Sequence, residues 1–268
     1  MTGTANANGA AVRFQRDGFL FPLTAMAPGE ADSYRRRIDA FRAANPTGRP
    51  FREVVKSKSH LLCRAILEIV RRPGILDVVE DVLGPDILLW STGLFLKEAH
   101  DPAYVSWHQD VRYWGLEPHD IVTAWLALTP ATIESGAMRF VPGSHAGGLL
   151  EHLDTRAEHN MLARGQVVQE PVDEEAAVDV LLKPGQYSLH HGRLVHGSAP
   201  NRSPEPRYGV AIRYIAAHVR PTRTGDSALV VRGRDRHGHF GSDRIPSGDY
   251  EPWALELSAE VHKFASGH

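Results

Sequence analysis

The chain has 268 residues, 42% of them hydrophobic and 23% charged, which is ample material for a buried core. Its 30 Lys and Arg stand against 32 Asp and Glu, and a formal net charge of −2 leaves no electrostatic footprint for nucleic acid or an anionic membrane. A single cysteine, Cys63, excludes an internal disulfide and a cysteine-based zinc site, and a reducing cytoplasm is the compartment that fits.

Residues 1–13 are small and polar and predict a disordered tail, without the basic flank and apolar stretch of a secretory leader. No apolar run approaches the length needed to cross a bilayer. A short strand follows over Asp17–Pro22, opened by a turn signal and closed by proline. Pro28-Gly29-Glu30 starts a helix whose Tyr34, Ile38 and Phe41 fall on one stripe. The apolar run from Ser59 to Leu83 predicts two helices joined at Pro73. From Ile87 the pattern becomes short β-type runs (87–90, 92–96, 104–107, 122–128, 138–141, 178–182, 186–190 and 208–214) separated by Gly, Pro and Ser turn-formers, as in a sandwich or barrel. Residues 146–177 form a polar insertion with the character of a mobile lid. Residues 221–250 read as irregular, and 250–264 as a closing helix. One domain over 14–268 is expected, with a helical part at 14–85, a β core at 86–220 and a C-terminal extension at 221–268.

The chemistry concentrates in Trp107-His108-Gln109-Asp110, at the end of a predicted strand. On an extended chain His108 and Asp110 share a face. With the distant His196 they make two imidazoles and one carboxylate, the donor set of a facial triad with open positions on non-haem iron.

Several stretches together resemble the phytanoyl-CoA dioxygenase family of Fe(II)- and 2-oxoglutarate-dependent oxygenases: Trp-His-Gln-Asp (107–110), Val-Thr-Ala-Trp-Leu-Ala-Leu (122–128), Glu-Ser-Gly-Ala-Met (134–138), Val-Pro-Gly-Ser-His (141–145), and His-Gly-Ser-Ala-Pro-Asn-Arg-Ser (196–203) followed by Arg207. They occur in family order from about residue 17 to 218. The resemblance implies a mainly β fold with flanking helices, a double-stranded β-helix or jelly roll. It implies Fe(II), 2-oxoglutarate and O₂ as the cofactor set, with His108, Asp110 and His196 as iron ligands. Arg207 then pairs with the distal carboxylate of the oxoacid, as a guanidinium fork suits. Ser198 helps hold that carboxylate and Trp125 lines the pocket. Structural alternatives stand beside these roles: Trp125 as plain core, and Arg207 answering Glu205. Lys56 and Lys58 compete for a further contact to the oxoacid. His190 and His191 are close to the triad in sequence; His191 matches a family position near the metal, with a satisfied core histidine or a support behind the metal ligands as the reading favoured for it, and His145 reads as structural.

The implied reaction is hydroxylation of an unactivated C–H of a small-molecule metabolite, with succinate and CO₂ as co-products. In halogenating relatives the carboxylate ligand is replaced by a small residue, so Asp110 argues for hydroxylation over chlorination. Alternatives are desaturation, epimerisation or cyclisation by the same oxidant, and an inactive jelly-roll binding protein, against which the intact His108, Asp110, His196 and Arg207 speak. The substrate is expected over the open metal face, among Arg112, Tyr113, Trp114, Arg139 and His100. Arg112 and Arg139 would take an anionic group or be solvated surface arginines, and Tyr113-Trp114 would form an aromatic wall or cap the barrel.

Overall fold

The computed structural model describes residues 7–266. The N-terminal part runs α1 (Ala7–Asp17), β1 (Phe19–Thr24), α2 (Pro28–Ala43), α3 (Phe51–Val54), α4 (Arg64–Ile69) and α5 (Pro73–Leu83). Helix α1 overturns most of the expected disordered tail; of that tail only residues 1–6 lie outside the described residues. Its ordering follows from packing: Phe14 is buried in the helix-side core. Helices α2 and α5 each start on a proline, whose missing N–H costs nothing in a first turn, and Tyr34, Ile38 and Phe41 of α2 are buried as the stripe predicts. The segment 59–83 breaks twice rather than once. A short 3-10 turn, Ser59–Leu61, precedes extended Cys63, which starts α4, and Pro73 then starts α5.

The β part runs β2 (Ile87–Lys97), β3 (Val105–His108), β4 (Leu116–Glu117), β5 (Ile121–Ala127), β6 (Met138–Phe140), β7 (His152–Asp154), β8 (Gln166–Val168), β9 (Val178–Asp179), β10 (Gln186–His191), β11 (His196–Ser198), β12 (Arg207–Ala216), β13 (Arg220–Pro221), β14 (Ser227–Arg232) and β15 (Gly241–Ser242), and α6 (Pro252–Ser266) follows. Seven strands form one sheet in the order β1-β10-β5-β12-β2-β14-β15, and four form a second in the order β3-β11-β6-β9. The predicted runs 87–90 and 92–96 are one strand, β2, with an irregularity opposite Arg213/Tyr214. The segment 221–250 is also more ordered than its polar composition predicts, because Ser-Ala-Leu-Val-Val-Arg (β14) pairs with β2.

Alternation along the strands sorts their side chains. Tyr208, Val210, Ile212 and Tyr214 of β12, with Val122, Ala124 and Leu126 of β5, pack under the helices. Their neighbours turn the other way: Trp125, Ala127 and Ala211 join Met138 and Phe140 of the second sheet in a core between the two sheets. This two-sheet arrangement with helices on one outer face is a jelly roll. No helix among the described residues is long and apolar enough to cross a membrane.

Candidate active site

Strand pairing brings the histidines together. His196 of β11 lies directly opposite His108 of β3, with ring centroids 4.2 Å apart. Asp110 sits two residues beyond the end of β3 and opens a 3-10 turn, Asp110–Tyr113. Gln109 between them stays extended because it is clamped on every side. Its backbone N–H donates to His152 Nε2 (2.9 Å), its amide to the carbonyls of Gly148 (2.8 Å) and Arg193 (2.7 Å), and its Oε1 accepts from the Leu150 N–H (2.8 Å). His108 and Asp110 therefore keep the common side that their spacing predicts.

The orientation of each ring is fixed from behind. His108 Nδ1 lies 2.9 Å from the Ser106 carbonyl and 3.1 Å from that of His196, and His196 Nδ1 lies 2.9 Å from the Leu194 carbonyl. Carbonyls only accept, so both Nδ1 atoms carry the proton and both Nε2 lone pairs are free to bind a metal. One ligand atom from each of His108, Asp110 and His196 falls within 4.8 Å of the others. Asp110 Oδ2 accepts from Thr123 Oγ1 at 2.9 Å, and Oδ1 lies 3.5 Å from His108 Nε2. Two imidazoles and a carboxylate so disposed suit a divalent first-row metal.

Protonation agrees with that reading. Burial pushes the Asp110 carboxyl up, but His108 and His190 beside it outweigh burial and hold it well below the ordinary carboxylate range. Burial, with His108 and His190 adding, holds His196 well below the ordinary imidazole range. Both groups are thus metal-ready at neutral pH. It is His190, not the expected His191, that reaches this centre. His190 Nε2 is 3.4 Å from Asp110 Oδ2, and its ring centroid is 4.6 Å from that of His196. His191 turns to the other face of β10, near Phe14 and His145. His145 Nε2 lies 3.1 Å from the Gln15 carbonyl, a structural contact as predicted.

A second group of polar side chains lies deeper on the same wall. Arg207 and Lys97 are cross-strand neighbours of β12 and β2, and both are buried. Arg207 lies over the Trp125 ring, 5.1 Å from its centroid, and donates to the Gly136 carbonyl. Among the described residues its Nε has no partner. Lys97 donates to Ser198 Oγ at 2.8 Å and to the Ala199 carbonyl. Burial lowers Arg207 to about 10; burial, then Arg207 and Arg52, lower Lys97 to about 6. Two glycines make room for this arrangement. A Cβ on Gly209 would stand 1.9 Å from Trp125 Cζ2, and Gly136, at φ +69°, would put one 2.2 Å from the Ala199 carbonyl. Lys97 and Thr123 were not anticipated from the sequence. The alternation that places Arg207 and Trp125 inward also marks Thr123, whereas Lys97 shows only once the β2–β12 register is known.

The metal pocket opens into a cavity of about 410 Å³; Phe95, Asp110 and Arg213 border both spaces. Tyr113 and Trp114 line the cavity as expected, and Trp90 faces Trp114 with ring centroids 5.0 Å apart. The other expected substrate contacts do not line it. Arg112 is drawn to Glu151 (2.8 Å) and Arg139 to Glu174 (3.1 Å), surface acids that outcompete an inward pose. His100 is exposed on a turn at φ +52°. Of the two competing lysines, Lys58 is committed elsewhere, 3.1 Å from both Asp243 oxygens and 2.6 Å from the Ser227 carbonyl. Lys56 borders the cavity with no side-chain hydrogen bond among the described residues, and burial lowers its pKa. Met161 to Arg164 of the 146–177 insertion border the cavity too. The insertion is tied to the strand region by Tyr104 N–H to the His159 carbonyl (3.0 Å), Met161 N–H to the Tyr104 carbonyl (2.9 Å), and the β7–β8 hairpin.

The chain is similar to known proteins. The phytanoyl-CoA dioxygenase family model matches residues 14–209. The chain is 33% identical over 184 residues to a probable alpha-ketoglutarate-dependent hypophosphite dioxygenase of Stutzerimonas stutzeri, covering 65% of this chain and 63% of that one. It is 28% identical over 238 residues to the L-proline trans-4-hydroxylase of Streptomyces griseoviridis, covering 76% and 85%. The chain spans about half to two thirds of the length of several curated relatives. The solved apo structure of the non-heme monooxygenase ThoJ superposes with a TM-score of 0.85 at 38% identity, over 96% of this chain and 97% of that one. Motif order, sheet topology and the His-Asp-His cluster converge with these likenesses, and the chain belongs to the phytanoyl-CoA dioxygenase family.

Proposed function

We propose that this protein is an Fe(II)- and 2-oxoglutarate-dependent dioxygenase that hydroxylates an unactivated C–H bond of a small-molecule metabolite. The observation that carries the reading is the pairing of an inward-facing N, N, O donor set with a pocket ending in a buried guanidinium. His108, Asp110 and His196 hold the iron. Arg207 takes the distal carboxylate of the oxoacid in a charge-assisted fork, with Ser198 and Lys97 beside it and Trp125 beneath. Iron and the oxoacid together supply O₂ activation coupled to release of succinate and CO₂, the cofactor set carrying the hard chemistry. The chain's own residues do the positioning. The Ser106 and Leu194 carbonyls fix the imidazole tautomers, Thr123 fixes the rotation of Asp110, and the cavity next to Asp110 holds substrate away from bulk water. Retention of Asp110 favours hydroxylation over chlorination, and the S. griseoviridis relative is named a hydroxylase.

The test is Fe(II)-dependent conversion of 2-oxoglutarate to succinate across a metabolite screen in isotopically labelled O₂. Hydroxylation predicts a product carrying one labelled oxygen atom. A product that has lost hydrogen or changed configuration without gaining label overturns that outcome, and no succinate under any condition overturns the dioxygenase reading.

A further inference from the structure

Alternation along β12 turns Arg207, Ala211 and Arg213 to the inner face of the sheet, so a second arginine faces the site about 20 Å further along the strand. The two are held differently. Arg207 has the Gly136 carbonyl as an acceptor. Among the described residues no acceptor is recorded for the Arg213 guanidinium, and its enclosed Nε is unpartnered. Its recorded contact is with the Trp114 ring, 5.3 Å from the centroid. Elsewhere the chain pairs its arginines readily: Arg37 forks onto Glu68, Arg72 onto Glu30, and Arg232 reaches Asp77 and Glu80. The charge that acts on Arg213 is Asp110, and a cation bound to Asp110 would offset it. Arg213 is part-buried, and its guanidinium borders both the metal pocket and the 410 Å³ cavity without, among the described residues, the carboxylate partner that Arg37, Arg72 and Arg232 have.

The aromatic lining completes the description of what would fit. Trp90 and Trp114 form one wall, and Trp90 is held by its Nε1–H donating to Asp226 at 2.7 Å. Glu53, Asp226 and Glu260 line the same cavity beside Lys56, Lys58, Arg164 and Arg223, and a single carboxylate is the group that one guanidinium fork matches. Resting on the dioxygenase reading for the identity of the site, we propose that Arg213 is the anion anchor of the substrate: it binds a monocarboxylate whose planar or apolar body lies against Trp90 and Trp114. This moves anion recognition from Arg112 and Arg139, which surface acids occupy, to a residue inside the cavity.

Matched acids and amides test the proposal: phenylacetate with phenylacetamide, and indole-3-acetate with indole-3-acetamide. They are titrated calorimetrically into protein loaded anaerobically with Fe(II) and 2-oxoglutarate, and in parallel into metal-free protein. Wild type is expected to bind the acids at least ~10-fold tighter than the amides, the size of one charge-assisted contact. In Arg213→Gln the gap closes while Fe(II) and 2-oxoglutarate binding persist, and Arg213→Lys, lacking the fork, retains only part of it. Equal affinity for acid and amide in wild type, an acid preference that survives Arg213→Gln, or no acid binding at about 10 mM overturns the proposal. Thermal unfolding supplies a readout that needs no cofactor. An unpartnered cation predicts that Arg213→Gln melts no lower than wild type, and a clear fall would instead assign Arg213 to holding the fold. If Fe(II) and 2-oxoglutarate fail to bind while acid is still preferred over amide, the dioxygenase reading fails and the anion anchor stands.

Discussion

The two halves of the inner wall are built on opposite terms. Around His108, Asp110 and His196 the backs of the metal-facing groups are tied down: both Nδ1 atoms to carbonyls, Asp110 to Thr123, and Gln109 on four sides. Around Arg207, Lys97 and Arg213 basic groups are gathered, and among the described residues none of the three forms an ion pair with a carboxylate. Arg207 and Lys97 stand directly opposite each other on neighbouring strands, where burial and then the Arg207 charge favour a neutral Lys97, and among the described residues the Nε atoms of Arg207 and Arg213 lack partners. The first arrangement is complete without a small molecule and can be rigid before metal arrives. The second becomes favourable only when carboxylates enter, so binding energy is stored as unpaired charge.

This contrast fixes the order of mutational effects. The largest is expected from Asp110→Ala, which removes a ligand and abolishes Fe(II) binding and turnover, as metal titration will show. Arg207→Met should leave Fe(II) binding in place but raise the 2-oxoglutarate requirement. Losing one side of a buried charge pair costs about 2 kcal/mol or more, or at least ~30-fold in a dissociation constant. Equal loss of metal and oxoacid binding would break the division between the two halves. Thr123→Val deletes a partner of a ligand rather than a ligand, and should weaken metal affinity ~10-fold to 100-fold with oxoacid affinity at saturating metal unchanged.

Acidity sharpens the comparison further. Lys97, lowered to about 6 by burial and then by Arg207 and Arg52, is neutral at pH 7–8 until a carboxylate arrives. Oxoacid binding should therefore take up a proton, and the dissociation constant should rise toward ~tenfold per pH unit above about pH 6, flattening in Lys97→Met. The sign for stability follows from the same group. Its folded pKa lies below the unfolded 10.5, so the unfolded chain binds more protons between those values and stability rises with pH across that window. Unfolding of the oxoacid-free protein at pH 6.5 and 8.5 checks this, and Lys97→Met should remove most of the difference.

Much of the metal half was legible from residue order. His108 and Asp110, two apart on an extended stretch, carry their geometry in their spacing, whereas His196 and Arg207, eleven residues later, were marked by the family resemblance. The anion-binding half was less legible because it depends on register. Lys97 ends an apolar run, and only the pairing Arg207↔Lys97 reveals that two basic groups meet. Arg213 was readable in principle, since it shares parity with Arg207, but arginine is so often a surface residue that parity alone did not mark it. Composition also concealed α1, where Asn and Gly mask a helix held by Phe14, and β14, where Ser-Ala-Leu-Val-Val-Arg lies in a polar stretch. For Arg112 and Arg139 the surface alternative was open from the start, and the acids they reach here, Glu151 and Glu174, are 39 and 35 residues away in the chain, out of sight of local pattern.

The division of labour is tested most directly by anaerobic visible absorbance on metal-free protein, adding Fe(II) and then 2-oxoglutarate, with His108→Ala and Arg207→Ala in parallel. A weak metal-to-ligand charge-transfer band should appear in wild type only after both additions. It should be absent in His108→Ala and recoverable in Arg207→Ala at much higher oxoacid concentration. No band in wild type under any order of addition would contradict an iron and oxoacid site in this fold.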